Sequence, residues 1–234
     1  YITIKSYKMK KQLPNIVTLS NLTLGLMAVF YGLIKDDLIL CSYLIYIGIL
    51  LDFLDGKIAR FLKVDSEYGK QLDSFADMVT FGIAPAVIIF QMIEEHNSDL
   101  SYVAFLIPVF SAIRLAKYNI DKNQGNYFIG LSTTANAFLF SSLPLIKKSH
   151  SHEIINNLLS TVSFLIILTI LFSLLLISNI ETFSLKFKTS NSFEKKIKIG
   201  FISISFLFIV FLKYLSIPII IFFYMLLSII FKPK

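Results

Sequence analysis

The sequence reads as an all-α, polytopic integral membrane bundle of about eight transmembrane helices, with both termini cytoplasmic. Three observations predict this. Of the 234 residues, 56% are hydrophobic, and the mean hydropathy is +0.73, outside the range of soluble globular domains. Apolar runs such as 16–34 and 154–177 reach the roughly 20 residues that a helix needs to cross the hydrocarbon core. The basic residues are also divided unevenly between the loops of the two sides, as the positive-inside rule requires.

The first span, 14–34, follows Leu13-Pro14-Asn15. The second, 38–61, has a purely apolar part of only 14 residues, Leu38–Leu51, about 21 Å of helix. It must therefore continue through Asp52–Arg60 to reach the interface. The third, 72–93, begins with Asp73 and Asp77 and turns apolar at Met78. Further spans are expected over 99–119, 129–146 and 153–179. The last 35 residues of apolar pattern would run about 52 Å as one helix, against about 30 Å of hydrocarbon. Lys213 and Pro218 divide them into spans 197–212 and 214–231. Residues 1–12 then form a basic cytoplasmic segment, 13–190 a membrane domain and 191–234 a C-terminal hairpin of the same bundle. The N-terminus fits neither a signal peptide nor a transit peptide. Because the sequence starts at Tyr1 and Met9 is an alternative start, residues 1–8 carry no functional weight.

The formal net charge is +7. In this topology all but Lys35, Lys147, Lys148 and Lys213 of the 22 basic residues lie inside. The charge is thus a matter of topology and attraction to anionic headgroups, and no nucleic-acid partner is expected. The lone Cys41 excludes an internal disulfide and reads as a small core residue. His96, His150 and His152 fall in short outer loops as solvated residues, with His150-x-His152 able to take adventitious metal. The inner loops 62–71, 117–128 and 180–196 are longer and more polar, so chemistry is expected on the cytoplasmic side.

Asp52 and Asp55 are three residues apart, and Asp73 and Asp77 four apart. Each pair therefore shares one face of its helix. A connection of about ten residues makes the two helices antiparallel neighbours, bringing all four acids to one level. A single charge at the bilayer centre costs about 2.5–3.5 kcal/mol, so four clustered acids need cations, and bound metal is the first candidate. Hard oxygen ligands without nearby His or Cys favour Mg²⁺ or Mn²⁺ over zinc. Only two basic residues are arginines, Arg60 and Arg114, each at the cytoplasmic end of a span, where a planar fork can grip phosphate or carboxylate. Snorkelling to the interface is the alternative role for both. Gly56 and Ala59, interleaved with the acids, serve either close helix packing or a flat ligand against the backbone, and the spacing favours the ligand.

The pattern D-x2-D-G-x2-A-R-x8-G-x3-D-x3-D, from Asp52 to Asp77 with Gly56, Ala59, Arg60 and Gly69 at their fixed places, resembles the signature of the CDP-alcohol phosphotransferase family. Leu13-Pro14-Asn15 with Thr18, Leu72–Ala86, Arg114–Asn119 and Ser178-Asn179-Ile180 resemble its phosphatidylserine synthase branch. Two stretches depart from that branch. Phe128–Ala137 stands where a proline-containing segment is usual, and the tail after Ile180 lacks the usual proline. The resemblance implies attack of the L-serine hydroxyl on the lipid-side phosphorus of CDP-diacylglycerol, giving phosphatidylserine and CMP. It implies two divalent cations, Mg²⁺ or Mn²⁺, held by Asp52, Asp55 and Asp73, with Asp77 as general base and possible further ligand. A free aspartate is a weak base, with a pKa near ~3.9. Either surrounding charge tunes it or metal acidifies the alcohol. By the same resemblance Asn15, Thr18, Gly56, Ala59, Arg60 and Gly69 belong to the nucleotide and phosphate site. Arg114 is offered to the acceptor. A homodimer in a bacterial inner membrane, with the active site facing the cytoplasm, is expected.

Two other functions compete. One is the same transfer to glycerol 3-phosphate or inositol, for which Lys57, Arg60, Lys63, Arg114 and Lys117 are the basic candidates. The other is a cation transporter using the four acids as an ion site. That reading calls for acids near mid-bilayer on discontinuous helices, unlike acids at the end of a span beside a basic loop.

Overall fold

The computed structural model describes residues 2–64, 66–96, 99–121, 128–149, 153–182 and 192–230. Helix α1 (Ile2–Ile34) and α2 (Leu38–Leu62) form an antiparallel pair joined by a tight turn. Asp37 caps α2 by accepting the Leu40 amide at 2.9 Å, satisfying one of the donors a helix start leaves free. As expected, α2 runs unbroken through Asp52–Arg60 and ends at Lys63 in the left-handed conformation. Ser66 then caps α3 (Glu67–Asp77) through the Gly69 amide.

From α3 the chain enters a π-helical turn, Met78–Ile83, and continues as α4 (Ala84–Glu94). Pro85 accounts for the wide turn. Its nitrogen has no proton to give, and its ring would clash with the carbonyl four residues back in a regular helix. The Ala84 amide accordingly reaches the carbonyl of Val79, five residues back. A 3₁₀ turn (Asp99–Phe105) leads into α5 (Leu106–Ile120), and α6 (Thr133–Lys148) is capped by Ser132. Helices α7 (Glu153–Leu159) and α8 (Val162–Ile177) meet at an angle of 73°. Helix α9 (Ser192–Leu212), a 3₁₀ turn (Lys213–Leu215) and α10 (Ser216–Ile230) complete the described chain.

Two short strands, β1 (Phe128–Ile129) and β2 (Glu181–Thr182), pair antiparallel with Phe128 opposite Thr182. Gly130 follows with φ +72°, and a Cβ there would stand 2.7 Å from the Leu176 carbonyl oxygen. Its amide donates to Ile180 at 2.8 Å, and the Leu131 amide donates to Leu175 at 3.0 Å. The connection before α6 is thus tied to the last turn of α8, whose Leu175 carbonyl also accepts the Ser178 hydroxyl at 2.9 Å.

The core lies on α4 and α6, with Ile88, Ile89, Met92, Ile93, Leu139, Phe140 and Leu143 at most 3% exposed. Apolar side chains also crowd the outer surface, among them Leu26, Ile34, Leu50, Phe206 and Phe211. That inside-and-outside apolarity suits a lipid surround and identifies an integral membrane bundle.

Among the described residues, five helical stretches are long and apolar enough to cross a membrane: Gln12–Ile34, Leu38–Leu62, Glu67–Glu94, Asp99–Ile120 and Lys195–Ile230. The bent pair α7–α8 makes a sixth if it is one span. This is fewer than the eight expected from hydropathy. The fifth expected span became α6, whose 16 residues rise only about 24 Å. The sixth is broken at Ser160–Thr161. The final stretch doubles back at Lys213, where φ is +48°. The Phe201 ring lies 5.9 Å from that of Phe223 and 6.0 Å from that of Tyr224, which a straight helix could not achieve across 22 residues.

Candidate active site

The acids converge at the end of the bundle that carries the α2–α3 connection. Carboxylate oxygens of Asp52, Asp55 and Asp73 all lie within 4.8 Å of one another. Asp77 interacts electrostatically with all three and with Arg114. Helical spacing explains the arrangement, since each helix presents its pair on one face and the turn between α2 and α3 sets the faces opposite one another. Asp55 is 5% exposed. Thr18 Oγ1 on α1 stands 2.7 Å from Asp55 Oδ2 and 3.0 Å from the Pro14 carbonyl oxygen. Its single proton goes to the shorter, charge-assisted contact.

Asp73 Oδ1 and Asp77 Oδ1 are out of solvent and accept no hydrogen bond. Unpartnered carboxylate oxygens beside two further acids are what hard divalent cations require, and neither His nor Cys joins the group among the described residues. The donor set therefore fits Mg²⁺ or a cation like it.

The remaining sequence candidates are distributed around this cluster. A Cβ on Gly69 would meet Ser66 Oγ at 3.1 Å and Asn15 Oδ1 at 3.3 Å, so Asn15 sits against the first turn of α3. A Cβ on Gly56 would meet only Arg60 Nη2, at 3.8 Å, which leaves open space over the backbone of α2. Ala59 is half-buried and Arg60 exposed, and Arg60 makes no salt bridge among the described residues. His96 is exposed at the end of α4, whereas His150 and His152 lie outside the described residues.

Arg114 is half-buried on α5 and places Nη1 3.4 Å from Thr133 Oγ1. Its Nε has no partner. Sequence reasoning missed two neighbours. Ser111, one turn earlier on α5, and Asn136, one turn beyond Thr133 on α6, are 0% exposed. Ser111 Oγ and both amide atoms of Asn136 lack partners. Buried unpaired polar atoms each cost about 1–3 kcal/mol, so the unpaired atoms of Ser111, Arg114 and Asn136 are candidates for contact with a polar ligand. Only the spacing Ser111-x2-Arg114 hinted at this group, because Thr133 and Asn136 reach the site through tertiary packing. Two other motif segments have structural roles. Asn119 Nδ2 donates to Ser74 Oγ at 2.8 Å, tying α5 to α3, and Ile180 accepts the Gly130 amide.

The sequence matches the CDP-alcohol phosphatidyltransferase family model over residues 11–173. It is 32% identical over 171 residues to the CDP-diacylglycerol–serine O-phosphatidyltransferase of Helicobacter pylori, covering 72% of this chain and 70% of that protein. The enzyme of that name from Methanocaldococcus jannaschii is 34% identical over 165 residues, 70% of each chain. The one from Bacillus subtilis is 33% identical over 120 residues, 51% of this chain and 67% of that protein. The match runs from α1 through most of α8 and takes in all four acids, and on that ground the chain belongs to the CDP-alcohol phosphatidyltransferase family.

Proposed function

We propose that the chain transfers the phosphatidyl group of CDP-diacylglycerol to the hydroxyl of L-serine, giving phosphatidylserine and CMP. The observation that carries this reading is the juxtaposition of the carboxylate cluster with the buried polar side chains around Arg114. One side suits a cation-bridged pyrophosphate and the other a small zwitterion, and relatives of this chain bear the corresponding name.

In this reading Asp52, Asp55 and Asp73, with Asp77 as a further ligand, hold two divalent cations, Mg²⁺ or Mn²⁺. When bound, the cations offset the pyrophosphate charge and stabilise the attacking and leaving oxygens. Asp77 takes the proton as the serine oxygen bonds to the lipid-side phosphorus. The bond from that phosphorus to the CMP oxygen breaks, and CMP leaves with the electron pair. Thr18 keeps Asp55 turned toward the cluster. Asn15, Gly56, Ala59, Gly69 and Arg60 cradle the nucleotide and its phosphates, where the open face at Gly56 leaves room for a flat base. Arg114 receives the serine carboxylate. Lys57, Arg60, Lys63 and Lys117 are all exposed, so among these basic candidates Arg114 is the half-buried one that interacts with Asp77, a single charge suited to a carboxylate.

The same reading has residues 13–190 as the catalytic membrane domain, 191–234 as a C-terminal hairpin, and both termini and the active site facing the cytoplasm at a bacterial inner membrane. The lysine-rich inner loops support the orientation. A homodimer belongs to this proposal on family resemblance, and its mass in detergent checks it. The test of function is CMP release from CDP-diacylglycerol and Mg²⁺ or Mn²⁺, with serine, glycerol 3-phosphate or inositol supplied separately. Serine-dependent release is expected. Release with none of the three, in folded protein, overturns the proposal.

A further inference from the structure

Directly beneath the acids lies a layer where three helices meet at one side chain. Thr80, in the π-turn and 0% exposed, donates its hydroxyl proton to the main-chain carbonyl of Asn21 on α1 at 3.1 Å. Two glycines make its seat. A Cβ on Gly25 would stand 2.3 Å from Thr80 Oγ1 and 2.9 Å from Thr80 Cα. A Cβ on Gly48 would stand 2.6 Å from Thr80 Cγ2 and 2.8 Å from Asn21 Oδ1. Each of these helices carries part of the acid layer one turn nearer the mouth. Thr18 precedes Asn21 by three residues, Asp52 follows Gly48 by four, and Asp77 precedes Thr80 by three.

Asn21 adds a second, independent observation. It is 0% exposed, and neither its amide oxygen nor its amide nitrogen has a partner. Helical side chains lean toward the N-terminus of their helix, which in α1 is the direction of Thr18 and the acids. A buried amide kept unpaired on the underside of the cluster is out of place in simple helix packing.

We propose that Thr80 is a positioning residue. Seated between Gly25 and Gly48 and tied to Asn21, it fixes the separation of the α2 and α3 carboxylates and so sets their affinity for divalent cations. This rests on the reading of the acid cluster as a cation site. The physical reason is tolerance, since Mg²⁺ demands near-octahedral oxygens at about 2.0–2.1 Å. A methyl group on Gly48 would have to retreat from Thr80 Cγ2 to about 3.5–4.0 Å, moving α2 by about an ångström relative to α3.

The test is Mn²⁺ binding by the purified full chain in detergent, read from the electron paramagnetic resonance signal of free Mn²⁺. Gly48→Ala should raise the half-saturating Mn²⁺ about tenfold, the scale of losses from supporting residues around metal ligands. Thr80→Ser alone should raise it about threefold by freeing the helices to shift. The double variant, in which serine vacates the space of Cγ2, should bind more tightly than Gly48→Ala. Wild-type affinity in folded Gly48→Ala, or a double variant no tighter than Gly48→Ala, overturns the proposal. Should Gly48→Ala fail to fold, Thr80→Ser and Thr80→Val carry the test, and unchanged affinity in both overturns it. CMP release in the same preparations separates the two readings. An active, Mn²⁺-binding wild type with indifferent variants sinks only the positioning role, whereas a wild type that binds no Mn²⁺ sinks both.

Discussion

Thr18 on α1 and Asp55 on α2 meet at 2.7 Å across the first helix pair, although 37 residues separate them. The contact ties one carboxylate of the cluster to the neighbouring helix. A hydrogen bond to a charged group contributes about 1.5–3 kcal/mol. Thr18→Val, which keeps the shape, should therefore lower kcat/KM about tenfold or more, and Thr18→Ser should restore most of it.

Removing charge from the base position should be more severe. Asp77→Asn is expected to abolish serine-dependent CMP release while leaving the protein folded, since the amide can take no proton from the alcohol. Single-turnover CMP release checks this, with a thermal melt as control. Activity within tenfold of wild type would rule out Asp77 as the base.

Chelation with EDTA should stop CMP release, and Mg²⁺ or Mn²⁺ should restore it. It should also lower the melting temperature, because four unscreened acids repel one another once the cations leave. A melting temperature indifferent to EDTA would argue against resident cations at Asp52, Asp55 and Asp73.

The buried polar side chains around Arg114 predict a split between kinetic constants. Arg114→Lys keeps the charge but loses the planar fork, so serine KM should rise at least tenfold while the KM for CDP-diacylglycerol changes little. Asn136→Leu should raise serine KM as well, and it should not lower stability, because it replaces an unpaired buried amide with an apolar group. Unchanged serine KM in both variants would remove Arg114 and Asn136 from acceptor binding.

Gly130→Ala should act on folding alone. The left-handed φ and the 2.7 Å approach to the Leu176 carbonyl leave no room for a methyl group. Expression and melting temperature should fall, with serine KM unchanged in whatever protein folds.

The α2–α3 acids were legible because helical spacing and a short connection determine both their face and their level. Arg114 was visible as one of two arginines, but its partners were not. Thr133 and Asn136 come from a helix that carries none of the signature residues. Hydropathy alone could not see that α6 has only 16 residues or that α7 and α8 meet at 73°, yet it divided the last apolar stretch at Lys213, where the chain reverses. Ser178-Asn179-Ile180 looked like a functional motif, and its described role is to receive the backbone before α6. The π-turn escaped notice because only Pro85, eight residues beyond Asp77, announces it.

That turn acts as a phase shifter. An α-helix advances about 100° per residue, so the extra residue in Met78–Ile83 rotates everything beyond it by about that angle relative to Asp73 and Asp77. The acid-bearing face of α3 therefore does not extend along α4 as a polar stripe into the bilayer, and α4 can be apolar and buried on nearly every side. Deleting one residue between Met78 and Ile83 would remove that offset and set the two halves out of phase: the acids would face the cluster only if α4 turned its packed surface away from the core.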